Sequence, residues 1–315
     1  TFNLKPEIAI DLFRYIIEND FSKAIFQFEI NGDILNDAVI NYLNEHCPKN
    51  RIRFEIGIQS IHQEVNRAVS RFQNNDKLFQ NIRSLRKGNV ILHLDLIAGL
   101  PHETIERFID TFNSVFKIYA EELQLGFLKM LKGTKLFYEQ KQYGYVVQKT
   151  APYELTSNLY LSEKDIETIH IVEDALEIYW NKNFMNNSLE IITNNIDSPF
   201  EFFYNLGKLF LSENKSFHRY QLSDVFHILE LFLGDSEKIY EVRKDYLIYN
   251  NIKPKIYWDN SVNKNELIRL FHKTHKKYNI NELYKYSMVM PYMDEYLLVI
   301  YFPNKKEFHK IKASL

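Results

Sequence analysis

Cysteine is almost missing from this sequence, since Cys47 is the single cysteine among 315 residues. One thiol excludes an internal disulfide framework and gives no reason to expect export, so we predict a cytoplasmic protein. It also excludes a zinc site or an iron–sulfur cluster that would be held by several cysteines of this chain alone.

Other signatures are missing as well. No apolar run reaches the ~20 residues of a membrane-spanning helix, and no signal-like segment opens the chain. The 39 basic and 41 acidic residues give a net charge of −2, so bulk charge does not indicate nucleic acid as a partner. No Walker loop, G-x-G-x-x-G, H-E-x-x-H or G-x-S-x-G motif occurs. The usual signatures of nucleoside triphosphate, dinucleotide, zincin and hydrolase chemistry are therefore absent.

The sequence does contain four short apolar runs separated by amphipathic stretches. This alternation predicts βαβ units on a parallel sheet, in which strands that follow one another in sequence are neighbours. The predicted strands are Ala24–Ile30, Ile52–Ile58, Val90–Ile97 and Leu123–Met130, and the predicted helices between them are Leu35–Leu43, Phe79–Leu85 and Ile105–Phe116. We therefore predict an α/β fold in which residues 1–145 form a partial (β/α) barrel with parallel strands.

A helix that runs to about Ile17, with Asn3 as a candidate cap, precedes the first predicted strand. In a βα fold such a helix should itself follow a strand, and four units make at most half of a closed barrel. The chain is therefore expected to be the C-terminal part of a longer protein. Its first strand would leave an apolar sheet edge open, which predicts pairing with another chain and a homo-oligomer.

The pattern changes after about residue 145, and residues 146–315 are predicted to form an α-rich accessory domain of unknown function. Ser162 and Asp165 form a capping box before the predicted helix Ile166–Tyr179. Ser198 and Pro199 open a second helix, and Gly234 ends a third. Two aromatic and apolar runs, "YKYSMVM" and "YLLVIYF", predict a small C-terminal β-hairpin.

Polar residues stand at the ends of the predicted strands. Glu29, Gln59 and Asp95 lie at or near the ends of the first three, and Lys129 and Lys132 close the fourth. The carboxyl ends of parallel strands meet at one edge of a sheet, where ligands bind. Each residue alone fits a solvent-facing strand end, but together they favour a binding site.

His272 and His275 show a helical spacing that could face one metal ion. No third candidate ligand lies at a sequence spacing typical of a metal site. Lys273, Lys276 and Lys277 lie next to the two histidines in the sequence. We interpret this segment as the solvated face of a basic helix.

Several stretches resemble the radical S-adenosylmethionine (SAM) superfamily, particularly its cobalamin-binding branch and the group related to oxygen-independent coproporphyrinogen oxidase. The resemblance covers nearly the whole chain and is most specific over residues 24–134. The stretches in the barrel part are "TFN", "FEIGIQS", "VSR", "LHLDLIAGLPHET" and "QLGFLKMLKGT". "APYE", "SPFEFF" and "VRKDYL" resemble a C-terminal domain that some members carry.

The resemblance implies roles for four residues. Glu29 and Gln59 match the strand residues that bind the ribose hydroxyls of SAM in this superfamily. Arg71 matches the arginine that pairs with the methionyl carboxylate, and Asp95 matches the aspartate beside the same ligand. None of them is expected to take part in bond chemistry.

The resemblance also implies cofactors that this chain cannot hold alone. The C-x-x-x-C-x-x-C loop that binds the [4Fe–4S] cluster in the superfamily is absent, as is the glycine-rich stretch that meets the amino group of SAM. In the intact protein, a reduced cluster would cleave SAM to a 5′-deoxyadenosyl radical that abstracts a substrate hydrogen. A missing N-terminal domain would carry cobalamin if methyl transfer is the outcome. The substrate is unknown, and the 315 residues alone are expected to be inactive.

Two other interpretations stay open at this point. The chain could be a degenerate barrel whose helical half acts as a protein- or RNA-binding module. A cofactor-free lyase or hydrolase ranks last, because no paired acid–base constellation is visible.

Overall fold

A computed structural model describes residues 4–19, 23–234, 237–260, 262–274 and 278–312. The stretch Thr1–Asn3, with the candidate cap Asn3, lies outside the described residues, as do His275, Lys276 and Lys277. The chain divides into two compact units. Unit 1 comprises Thr1–Asn181 and Ile196–Lys208, and unit 2 comprises Lys182–Asn195 and Leu209–Leu315. This division does not decide the predicted domain boundary after residue 145, which stays a prediction.

Unit 1 is built on a four-stranded parallel sheet with the strand order β1-β2-β3-β4. The strands are β1 Phe26–Glu29, β2 Ile52–Gln59, β3 Ile91–Ala98 and β4 Glu122–Phe127. The order in space equals the order in sequence, as successive crossovers predict. The predicted α/β class with parallel strands is confirmed.

Helices connect the strands and precede the first of them. They are α1 Pro6–Asn19, α2 Asp37–His46, α3 Gln63–Ala68, α4 Asn75–Leu85 and α5 Ile105–Phe116, with a 3-10 turn at Gly32–Ile34. Asn36, Asn74 and Thr104 cap α2, α4 and α5, since each side chain accepts a backbone N–H of its helix. Later elements of this unit are α6 Lys135–Glu139, β5 Val146–Val147, β6 Leu155–Ser157 and α7 Glu163–Leu176.

The two faces of the sheet differ in chemistry. In β2 the residues Ile52, Phe54, Ile56 and Ile58 are fully buried, whereas the alternate residues between them are only partly buried. Phe13 of α1 packs on the apolar face, with its ring centroid 5.4 Å from Phe28 and 5.7 Å from Phe54. The helix layer therefore covers one face and leaves the alternate, mostly polar positions on the other.

The turn after β3 requires a glycine. Gly99 has φ +97°, a conformation that side-chain-bearing residues rarely adopt, and a Cβ there would lie 2.0 Å from the Leu155 side chain. Tyr145 and Asn158 both donate hydrogen bonds to its carbonyl, at 2.9 and 3.1 Å. These contacts fix the path of the chain into the segment that begins with Pro101.

A side chain forms hydrogen bonds with backbone groups on the outer edge of β4. The Asn181 amide accepts from the Leu123 N–H at 3.0 Å and donates to the Leu123 carbonyl at 3.1 Å, as a neighbouring strand would. Asn181 belongs to a π-helical turn, Glu177–Asn181, that follows α7. This turn replaces the end of the predicted helix Ile166–Tyr179, while the predicted capping box of Ser162 and Asp165 is confirmed.

Unit 2 combines helices with an antiparallel sheet of three strands in the order β7-β8-β9. The helices are α8 Asn186–Thr193, α9 Pro199–Ser212 (shared with unit 1), α10 Leu222–Leu233, α11 Ile239–Tyr249, α12 Lys264–Thr274 and α13 Ile280–Tyr286. The strands are β7 Ser287–Tyr292, β8 Glu295–Phe302 and β9 Lys305–Lys312. The predicted hairpin corresponds to β7 and β8.

The third strand was not predicted, because β9 reads "KKEFHKIK" and carries more charge than apolar character. An edge strand can be this basic, since one of its edges faces solvent. Gly234, with φ +63°, ends α10 as its sequence predicts.

Candidate functional site

The face of the parallel sheet that the helices leave uncovered is rich in polar residues. Parallel sheets usually bury both faces under apolar contacts, so a polar face indicates a place for a polar ligand or for further protein. The polar residues at these alternate positions are Gln27, Glu29, Arg53, Glu55, Gln59, His93, Asp95, Glu122 and Gln124.

The structure brings the four sequence-predicted residues together around one cavity of about 360 Å³, here called the first cavity. It is lined by Glu29, Ile30, Asn31, Glu55, Gly57, Gln59, Arg71 and Asp95. Its volume falls within the range of small-molecule sites. Glu29 is exposed, and Asp95 lies on β3 opposite Gly57. The role of the four residues in binding stays a prediction.

The backbone is irregular at Gln59, which lines this cavity at the end of β2. The register between β2 and β3 shifts between Gly57 and Gln59, and Gln59 itself has φ +65°. Such bulges change the direction of a side chain and occur often beside active sites. The Gln59 Oε1 atom is buried and has no hydrogen-bond partner among the described residues. A donor from a ligand or from an ordered water would satisfy this buried acceptor.

Arg71 comes to the cavity from the turn that follows α3. Its Nη2 donates to the Gly57 carbonyl, and its Nε donates to Gln73 Oε1 at 2.8 Å. Burial lowers the pKa of Arg71, while the nearby carboxylates of Asp33 and Asp95 raise it. The guanidinium stays charged at neutral pH, because the ordinary arginine pKa lies above 12. Its Nη1 makes no hydrogen bond within the described part of the chain.

Asp95 belongs to a network of polar and charged side chains on the strands β3 and β4. His93 Nε2 lies 2.9 Å from Asp95 Oδ1 and 2.9 Å from Gln124 Oε1, and its Nδ1 lies 3.3 Å from Glu122. Burial opposes a charge on this ring, but the hydrogen bonds to Asp95 and Glu122 outweigh it and raise the pKa of His93 to about 9. The imidazole is therefore protonated at neutral pH and stabilises the Asp95 carboxylate.

A second cavity of about 390 Å³ adjoins the first on the β3–β4 side. It shares Glu55, Gln59 and Asp95 with the first cavity. Its other lining residues are Leu96, Ile97, Gln124, Gly126, Phe127, Leu128, Lys129 and Leu131. Of the two lysines noted in the sequence, Lys129 lines this cavity and Lys132 does not.

Sequence reasoning did not place Glu55, His93 or Gln124 at the site. The available signal was the alternation within β2, where Arg53, Glu55 and Gln59 interrupt an apolar series at every second position. The apolar residues of this run are enough to predict the strand Ile52–Ile58, and that prediction makes no use of the polar positions within it.

The described residues contain no group of three or more His, Cys, Asp or Glu side chains that could hold a metal ion. Cys47 is buried, and burial raises the pKa of its thiol to about 11, so it is not a thiolate at neutral pH. Across the same ranges, no helix has both the length and the apolar character to cross a membrane.

Comparison with family models gives two matches. Residues 1–115 match the radical SAM superfamily. The N-terminal part of this chain is thus similar to radical SAM domains. Residues 141–297 match a model described as a protein of unknown function, DUF4080. The resemblance stated from the sequence is thus confirmed, and Glu29, Gln59, Arg71 and Asp95 all lie within the radical SAM match.

Two curated relatives are similar to parts of this chain. The chain is 27% identical over 146 residues to the uncharacterized protein YtqA of Bacillus subtilis (strain 168), covering 46% of this chain and 41% of YtqA. It is 35% identical over 75 residues to the oxygen-independent coproporphyrinogen III oxidase of Synechocystis sp., covering 24% of this chain and 16% of that protein. The chain thus spans less than half of the length of each relative.

Solved structures of radical SAM enzymes are similar to this chain over about half its length. Coproporphyrinogen III oxidase (HemN) from Escherichia coli is 24% identical with a TM-score of 0.39, covering 53% of this chain and 36% of HemN. The radical SAM methyltransferase TsrM from Kitasatospora setae, solved with tryptophan and a SAM analogue, is 14% identical with a TM-score of 0.40. That match covers 51% of this chain and 32% of TsrM.

Proposed function

We propose that the radical SAM domain binds SAM in the first cavity, as part of an iron–sulfur enzyme with a substrate still to be identified. The observation that carries this proposal is the donor set of the cavity. Hydrogen-bond acceptors, one guanidinium and several carboxylates line a single space of suitable size. SAM offers a matching set of groups, namely ribose hydroxyls, a carboxylate, an ammonium and a sulfonium.

The ribose part of the ligand fits the Glu29 and Gln59 end of the cavity. Both side chains present oxygen atoms that accept hydrogen bonds, and the buried Gln59 Oε1 has no donor among the described residues. A vicinal diol supplies two O–H donors at a short spacing, which suits two neighbouring acceptors. A ribose hydroxyl would therefore relieve an unsatisfied buried atom.

The amino-acid part of the ligand fits Arg71 and the carboxylates. The Arg71 guanidinium, with a free Nη1, can bind a carboxylate through charge-assisted hydrogen bonds. Glu29, Glu55 and Asp95 make the rest of the cavity negative, which favours a ligand that carries a sulfonium and an ammonium. His93 Nε2 lies 2.9 Å from Asp95 Oδ1 and holds this side chain at the cavity wall.

The second cavity is the proposed place for the substrate, since it shares residues with the first and continues along the same sheet face. In radical SAM enzymes a reduced [4Fe–4S] cluster and SAM together generate a radical that abstracts hydrogen from the substrate. With Cys47 as its single cysteine, this chain cannot supply three cysteine ligands, so we propose that they come from residues outside these 315. Cobalamin and methyl transfer are proposed on the resemblance of residues 124–134 alone.

Ligand binding to the 315-residue chain, measured by calorimetry, tests the proposal. The ligands are SAM and methylthioadenosine, which keeps the ribose and adenine but lacks the amino-acid part. Arg71→Ala should weaken SAM binding and leave methylthioadenosine unaffected, whereas Gln59→Ala should weaken the binding of both. A charge-assisted hydrogen bond contributes ~1.5–3 kcal/mol, which corresponds to roughly a ten- to hundredfold loss of affinity.

Arg83→Ala is the matched control, because Arg83 lies on α4 over the Phe79 ring and does not line either cavity. Equal affinities for SAM in the wild type, Arg71→Ala and Gln59→Ala would refute the site. No binding of either ligand by the wild type would show that the residues of the first cavity do not form a SAM site on their own.

A further inference from the structure

Unit 2 contains a cavity that the proposed function does not use, here called the third cavity. Its volume is about 520 Å³, which falls within the range of small-molecule sites. It lies between the start of α10, the end of α11 and the connection that follows α11, and all its lining residues belong to unit 2. The lining residues that bear on its chemistry are Leu222, Tyr246, Ile252, Lys253, Lys255 and Tyr257.

The connection between α11 and α12 forms one side of this cavity. Its described residues, 250–260 and 262–263, lie in no helix or strand. Irregular connections longer than about 12 residues are uncommon in compact folds and are often functional. Tyr246 of α11 donates to the Lys255 carbonyl at 2.9 Å, which ties the connection to the helix before it. Lys253 Nζ donates to the Tyr284 carbonyl of α13 at 3.2 Å, so the cavity wall is fixed at two points.

Tyr257 gives the cavity a rigid aromatic surface. Its hydroxyl donates to Glu230 Oε1 at 2.6 Å, and Arg243 Nη2 donates to Glu230 Oε2 at 2.8 Å. The Tyr257 ring centroid lies 5.2 Å from that of Tyr246 and 4.8 Å from that of Trp258. These contacts hold a ring that is only partly buried. A ring fixed in this way can receive a flat apolar group without first being ordered.

Further apolar surface faces the same space. Ile252 is 78% exposed and lines the cavity together with Leu222 and Tyr257. A single exposed isoleucine on a convex surface is ordinary, but here it stands in a concave site beside other apolar side chains. A ligand with an apolar part would remove this surface from water.

The charge that faces the cavity is positive. Lys253 and Lys255 are both exposed, and none of the described residues that line the cavity carries a carboxylate. The Lys255 ammonium makes no hydrogen bond or ion pair within the described part of the chain. The neighbouring carboxylate of Asp224 on α10 is paired with Lys215 at 2.9 Å. An anionic group is therefore favoured at this rim.

We propose that the third cavity binds a small molecule that combines an aromatic ring with an anionic group, either a phosphate or a carboxylate. The ring lies against Tyr257 and Ile252, and the anion pairs with Lys255. The proposal does not depend on the SAM site, because the four residues assigned to SAM all belong to unit 1.

Fluorescence titration of the 315-residue chain with anilinonaphthalene sulfonate tests the proposal. This probe carries aromatic rings and a sulfonate, and phenylnaphthylamine is the same ring system without the anion. Lys255→Gln should weaken sulfonate binding roughly three- to tenfold, because an exposed charge pair is lost, and should leave phenylnaphthylamine binding unchanged. Ile252→Ser should weaken the binding of both probes, because both use the apolar surface.

Lys264→Gln is the matched control, because Lys264 is an exposed lysine at the start of α12 in unit 2 and does not line the cavity. It should bind both probes as the wild type does. The substituted side chains are all exposed, so the variants should fold normally. Equal affinities for the sulfonate in the wild type, Lys255→Gln and Ile252→Ser would refute the site, as would a lack of saturable binding by the wild type.

Competition against the bound sulfonate distinguishes the two kinds of anion. Phenyl phosphate and phenylacetate both carry one ring and an anion, whereas benzyl alcohol carries the ring alone. Displacement by either anion, or by both, would support the proposal and show which anions the cavity accepts. Displacement by neither anion, or equal displacement by benzyl alcohol, would refute it.

Discussion

At the scale of single residues, the position of the Gln59 amide depends on the absence of a side chain at Gly57. A Cβ at Gly57 would lie 2.4 Å from Gln59 Nε2 and 3.5 Å from Arg71 Nη2. The glycine thus leaves the space in which Gln59 packs over the strand next to the arginine. The positions of the Gln59 and Arg71 side chains therefore both depend on a glycine at residue 57.

Gly57→Ala is therefore expected to affect ligand binding more than stability. The added methyl group meets the movable end of the Gln59 side chain, so the fold can adjust at a cost below about 1 kcal/mol, while the amide leaves the cavity. SAM and methylthioadenosine binding should each fall at least roughly tenfold, as for Gln59→Ala. Calorimetry and urea unfolding of the same variant would measure both effects. A large loss of stability with unchanged binding would contradict this reasoning.

At the scale of secondary-structure elements, the two edge strands of the parallel sheet differ in the partners of their outer backbone groups. The Leu123 backbone on the β4 edge is satisfied by the Asn181 side chain. On the other side β1 pairs with β2, and its outer edge remains the proposed place for pairing with another chain. The π-helical turn matters here because it places Asn181 beside the strand.

Asn181→Ala is predicted to destabilise unit 1 by ~1–3 kcal/mol, because it leaves the Leu123 N–H and carbonyl without their partner. Urea unfolding would measure the change in the free energy of unfolding. Lys164→Ala, at an exposed position of α7 in the same unit, serves as the comparison, and it should have a smaller effect. Equal effects of the two substitutions would show that Asn181 does not protect the edge.

At the scale of the whole molecule, the chain contains two compact units, each with its own core. Ile56 is fully buried in unit 1. Leu298 is fully buried in the core of unit 2, together with Leu270, Phe271 and Leu283. Separate cores allow separate unfolding transitions.

We therefore expect two transitions in differential scanning calorimetry. Ile56→Ala and Leu298→Ala should each cost ~2–5 kcal/mol, the usual effect of truncating a buried aliphatic side chain. Each substitution should lower the transition temperature of its own unit only. A single transition that both substitutions shift would mean that the units unfold as one cooperative body.

Much of the fold follows from patterns that are local in the sequence. Helix and strand alternation predicted the parallel sheet and its strand order, since crossovers between parallel strands have one hand and connect neighbours. The predicted bounds of α5 agree with the structure. Residues at strand ends, Glu29, Gln59 and Asp95, could be selected because the carboxyl ends of parallel strands converge.

The sequence by itself thus determined the class of the fold and selected residues that the structure places around one cavity, because both depend on short-range periodicity and chain direction. Tertiary structure alone decided which face of the sheet is polar and how the shift in register directs Gln59. It also decided that β9 joins the sheet of unit 2. These features depend on packing between segments far apart in sequence, where burial and backbone direction at one residue are set by its neighbours in space.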